Sequence, residues 1–160
     1  MPLKPRCWFV VSISLTLFVF PSMAISSLTL TQTAAPSFGL IVSGASGRQF
    51  ILNTDDTISG THSIDYVSGA TAGRFIIEDT SSPASVNISV DVLGTTGGLS
   101  IGEALCSYGG GIQQTCSGSG ITVTSSASAT LRLGLELTTS TAHRGGDSAT
   151  ASLELTISYL

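Results

Sequence analysis

Two cysteines ten positions apart, Cys106 and Cys116, are the residues best placed to do chemistry together. Between them lies Ser107-Tyr108-Gly109-Gly110-Gly111-Ile112-Gln113-Gln114-Thr115, a glycine-rich stretch that bends easily. In an oxidising compartment such a pair closes a disulfide. A loop of this size removes unfolded-chain entropy worth roughly 3 kcal/mol. A two-cysteine metal site is the other chemistry open to them, but there is no nearby histidine and the spacing is not that of a zinc motif.

The remaining reactive side chains fall into pairs. His62 stands three residues from Asp65, and His143 stands near Asp147. Each pair could supply a base and an orienting carboxylate, but a hydrolase also needs a converging nucleophile. Serines abound, but the sequence sets none of them to converge with either pair, so both histidines are expected in solvated loops or at strand edges. Asp55-Asp56, Glu78-Asp79 and Asp147 could ligate calcium through oxygen. They lack the Asp-x-Asp-x-Asp-Gly spacing, and turn chemistry accounts for them. Asn87-Ile88-Ser89 fits a glycosylation sequon but falls inside a strand pattern. Tyr66 and Tyr108 offer rings that could stack on a sugar, and Tyr108, in the disulfide loop, is the better placed. No catalytic residue, metal or cofactor is expected, and the chain is not read as an enzyme.

The elements that must carry these residues are strands. The C-terminal run Ser148 to Leu160 has apolar residues at Ala149, Ala151, Leu153, Leu155, Ile157 and Tyr159, with polar residues between them up to Ser158. Successive strand side chains point to opposite faces, so this predicts one buried and one wet face. Val86-Asn87-Ile88-Ser89-Val90-Asp91-Val92 alternates in the same way, and Leu131, Leu133, Leu135 and Leu137 mark another strand. Leu28 and Leu30 share one face of a candidate first strand. Phe38 to Val42, Arg48 to Asn53 and Gly73 to Glu78 are further short segments, separated by turns rich in Gly, Ser, Asn and Asp. No stretch sustains a 3.6-residue apolar period. The pattern predicts an all-β protein, an immunoglobulin-like antiparallel β-sandwich of about eight short strands with almost no helix. An antiparallel barrel would satisfy the same alternation.

Composition agrees. Charged residues make up 10% of the 160 residues, against about a quarter in ordinary globular chains. The N-terminus carries Lys4 and Arg6, an apolar run from Cys7 to Phe20, and Pro21-Ser22-Met23-Ala24. Such a segment reads as a secretory signal peptide cut after Ala24, being shorter than the ~20 residues a spanning helix needs. Residues 25–160 would then form a single domain. Its four arginines stand against ten acidic residues, a net charge of −6, with no lysine. A chain without a basic face is a poor partner for nucleic acid or anionic lipid.

Taken in order, Phe38-Gly39-Leu40-Ile41-Val42-Ser43-Gly44, Gly73-Arg74-Phe75-Ile76-Ile77, Ala84-Ser85-Val86-Asn87-Ile88-Ser89-Val90, Leu131-Arg132-Leu133-Gly134 and Ala151-Ser152-Leu153-Glu154-Leu155-Thr156-Ile157-Ser158-Tyr159 resemble the bacterial family called domain of unknown function 4402. That family looks like small exported β-sandwich proteins in the style of pilin and spore-coat U subunits. Subunits of chaperone–usher pili likewise end in an alternating strand with a near-terminal aromatic and a glycine about a strand's length earlier, which Tyr159 and Gly146 suit. The resemblance implies an exported surface subunit of a Gram-negative bacterium, in the periplasm, at the cell surface or outside the cell. Its partners would be other copies, other surface subunits and a periplasmic chaperone. The Leu28/Leu30 segment would be the donated strand, and the groove beside the Tyr159 strand the acceptor. The alternative is a self-sufficient secreted binding module, for example glycan-binding, with Tyr108 at its contact surface.

Overall fold

A computed structural model describes residues 27–41, 45–142 and 151–160. The expected signal sequence, the Val42-Ser43-Gly44 end of the first family-like stretch, and His143, Arg144, Gly146 and Asp147 lie outside the described residues, as does the 148–150 start of the terminal run.

Among the described residues there are twelve strands: β1 Leu28–Ala34, β2 Leu40–Ile41, β3 Gln49–Leu52, β4 Ile58–Ser59, β5 Tyr66–Ser68, β6 Gly73–Asp79, β7 Ser85–Thr95, β8 Leu99–Tyr108, β9 Gln114–Thr115, β10 Ile121–Thr124, β11 Ser128–Thr139 and β12 Ala151–Tyr159. One short 3₁₀ turn covers Ser63–Asp65. The expected count of about eight is too low. β2, β4 and β9 have two residues each, and two residues show no alternation to read.

The sandwich is antiparallel, as the alternation predicted. β11 organises the larger, seven-stranded sheet. Its first half pairs with β6 and its second half with β3, both along one edge, while β8 takes the other edge along nearly its whole length. β1 lies outside β6, β4 outside β3 and β9 outside β8. The smaller sheet is β10-β7-β12, and β2 and β5 form a separate two-stranded ribbon.

Alternating side chains from the two sheets meet in one core. Phe75, Ile77, Leu131, Leu133, Leu135, Ala104 and Cys106 come from the larger sheet, and Ile88, Val90 and Ile121 from the smaller. Full burial of such a side chain contributes about 1.5–3 kcal/mol, which is why Phe75 and Ile77 of β6 and Val86, Ile88 and Val90 of β7 are branched or aromatic. The Cys106–Cys116 disulfide lies wholly inside this core, with the Cα atoms 5.7 Å apart. Cys116 also stitches the sheets together. Its N–H donates to the Ala104 carbonyl at 2.8 Å, and its carbonyl accepts from Val90 N–H at 2.9 Å.

Candidate functional site

β1 and β12 are edge strands on the same side of the sandwich. Among the described residues β1 pairs only with β6, and β12 only with β7. Each leaves a row of backbone donors and acceptors without a strand partner among the described residues. Between them the sheets part into a groove of about 260 Å³, lined by Gln32, Ala35, Pro36, Phe75, Leu133, Ala151, Leu153 and Leu155. Gln32 is the one polar side chain in that lining.

The terminal strand departs from expectation here. Its face was to be buried throughout, but Leu153, Leu155 and Ile157 are half-buried, while Ala151 and Tyr159 are exposed. The cause is position: an edge strand beside a groove has no layer over all of its inner face. β1 shows the same effect. Leu28 sits opposite Asp79 and packs on the core, while Leu30, opposite the buried Ile77, remains 40% exposed. The segment expected as a donor strand is therefore paired within its own chain.

Beyond the groove, β6 ends in a buried carboxylate. Asp79 is 2% exposed, and its Oδ1 accepts from the Tyr159 hydroxyl at 2.6 Å and from Ser81 N–H at 2.8 Å. The Ser125 and Tyr159 hydroxyls hold this carboxyl below its ordinary value, with the Ser81 N–H adding to them against the opposing effect of burial. The same bond to Asp79 raises the Tyr159 phenol. Turn chemistry at Glu78-Asp79 is present in the Ser81 bond, while the clasp to Tyr159 lies outside what that turn predicts. Its signal was available: in β6 Phe75, Ile77 and Asp79 share the inward face, so the alternation itself turns an aspartate toward the core.

A second polar cluster lies on the outer face of the larger sheet. Arg74 and Arg132 are directly opposite one another in β6 and β11, an unfavourable pairing of like charges. Both donate to Asp56 Oδ2 at 2.6 Å, while Asp56 Oδ1 accepts from Ala72 N–H at 2.7 Å. Asp56 reaches them from a turn in which it adopts φ of 71°, a left-handed conformation that aspartate tolerates better than most residues. Partial burial raises its carboxyl, but the Ala72 N–H and the two guanidiniums outweigh that and leave it below its ordinary value. The turn can lie so close because Gly134 has no Cβ; one there would overlap the Leu52 carbonyl oxygen. Nothing in the local sequence joins Asp56 to two arginines so far along the chain. Arg48 pairs with Asp65, so each arginine among the described residues faces an aspartate.

The other expected residues take structural places. The Tyr108 hydroxyl accepts from Ser126 N–H at 3.1 Å and its ring packs on the core. Tyr66 likewise accepts from Ala70 N–H at 2.9 Å. His62 Nδ1 accepts from Gln49 N–H at 3.1 Å, a strand-edge role. Asn87 donates to the Ser119 carbonyl at 3.0 Å. Asp55 caps its own turn through Thr57, whose hydroxyl and N–H lower the carboxyl. Among the described residues no group of three or more His, Cys, Asp or Glu could hold a metal ion, and no helix is long and apolar enough to cross a membrane. Set against protein-family models, curated proteins and solved structures, the chain matches none of them.

Proposed function

We propose that this chain is an exported structural or adhesive cell-surface subunit, pilus-like in its assembly, whose copies join by β-strand complementation. The observation that carries this reading is the pair of open strand edges, β1 and β12, facing each other across an apolar groove. An extended segment can bond such an edge through its backbone while its alternate side chains enter the groove and set the register. The internal disulfide supports export, because such bonds persist in oxidising compartments. The resemblance to domain of unknown function 4402 supports the same class, with a periplasmic chaperone and other surface subunits as further partners. Since Leu28 and Leu30 already pair with β6, donating them to a neighbour requires β1 to leave its own sheet.

Native mass measurements on residues 25–160 test the proposal. Oligomers are expected, and Leu30→Asp or Leu155→Arg should each reduce them to single chains. Oligomers unchanged by both substitutions would sink strand complementation. A cooperative monomer at every concentration would favour a self-sufficient secreted binding module instead. That second reading draws on Ile112, 79% exposed in the disulfide-bounded loop. Loss of glycan-array binding on replacing Ile112 or Tyr108 by Ala would support it.

A further inference from the structure

β12 is held unevenly along its length. Its C-terminal end is tied to both sheets. The Tyr159 hydroxyl reaches Asp79 of the larger sheet, and Leu160 N–H donates to the Ser85 carbonyl of the smaller at 3.0 Å. Tyr159 is also in register with the fully buried Val86. The opposite end forms a wall of the groove: Ala151, Leu153 and Leu155 line it, whereas Ile157 and Tyr159 do not. The ladder is irregular there too. Ser152 pairs with Gly94 and Leu153 with Val92, so Leu93 of β7 has no counterpart on β12 and is 65% exposed. Such a bulge interrupts the regular hydrogen bonding of a strand pair.

Asp79 is well built as the fixed point. Its backbone N–H donates to the Ala127 carbonyl, and its register partner in β1 is Leu28. Its second oxygen, Oδ2, is buried, and Oδ1 carries the bonds from Tyr159 and Ser81. The pin is thus anchored in β1, in β6 and in the segment between β10 and β11, while it grips β12 by one hydroxyl.

We propose that the C-terminal strand is a strap, pinned to the opposite sheet by the Tyr159–Asp79 bond and opening from its Ala151 end. Opening in that direction widens the groove without releasing the chain terminus. Local opening has its own free energy, lowest where apolar cover is thin and highest in the core, so the two halves of one strand can differ widely. This inference does not depend on the assembly reading.

Residue-resolved amide hydrogen exchange on the full chain tests it. In the unmodified protein, amides bonded to β7 at 152–155 are expected to exchange at least about tenfold faster than those at 157–160. Tyr159→Phe and Asp79→Asn should each speed exchange at 157–160 by roughly three- to tenfold, leaving β3 and β11 unchanged. Equal rates along β12 in the unmodified protein would overturn the proposal, even where Asp79→Asn fails to fold. So would a Tyr159→Phe variant in which every strand exchanges faster to the same degree.

Discussion

The Tyr159 hydroxyl donates to Asp79 Oδ1 across 2.6 Å, and this bond joins the last residues of β12 to the end of β6 in the facing sheet. It gives stability a defined pH dependence. Asp79 is lowered from an ordinary value of 3.8, so its unfolded form binds a proton more readily than its native form. The stabilisation is complete above the ordinary carboxylate value and is lost as pH falls through the lower native one. Asp55 and Asp56 are lowered as well and act in the same direction. The thermal midpoint should stay level from mild acid to neutral and then drop below about pH 4. Asp79→Asn should make that drop shallower; an equal drop in both proteins would remove Asp79 from the account.

Asp56 should matter because of what it keeps apart. Asp56→Asn retains a side chain that tolerates the left-handed turn but leaves Arg74 and Arg132 facing each other. These side chains are partly exposed, so solvent screening limits the loss to about 1 kcal/mol. Urea unfolding should show that loss at low salt and a smaller one at 1 M salt, where the screening length is about 3 Å.

The disulfide should contribute about 3 kcal/mol through the unfolded chain. Cys106→Ala with Cys116→Ala would lose that amount plus packing, since both residues are fully buried. Reductant alone should act slowly on the native protein and quickly in denaturant. Rapid reduction under native conditions would show that the core around Cys116 opens locally.

Gly134→Ala tests the close approach of the Asp56 turn. Its added methyl meets the Leu52 carbonyl and then Asn53, both backbone, so the turn must move rather than a flexible side chain. Overpacking of this kind typically costs about 1–3 kcal/mol. If the turn shifts as expected, Arg74 and Arg132 lose their shared partner, and adding Asp56→Asn to Gly134→Ala should cost less than it does alone.

Much of the fold was legible because alternation is a local property. Leu131, Leu133, Leu135 and Leu137 could be assigned to one face without knowing their neighbours, and all four are buried. The same holds for Val86, Ile88 and Val90 and for the pairing of Cys106 with Cys116. Two-residue strands such as β4 escaped, because they exist only through the partner that bonds them. The candidate site was less legible. Leu28, Leu30 and Tyr159 were singled out, but their contacts with Asp79 and Ile77 depend on register between strands distant in sequence.

By itself the sequence determined the class of element, the inward residue sets and the disulfide, because period-two patterning, turn residues and cysteine spacing act over a few positions. Only the tertiary structure decided that β1 and β12 are edge strands among the described residues and flank a groove, that Asp79 clasps Tyr159, and that Asp56 separates Arg74 from Arg132. Those outcomes depend on which strands lie side by side and in what register. Side-chain alternation says which face a residue takes and nothing about its neighbour across the sheet.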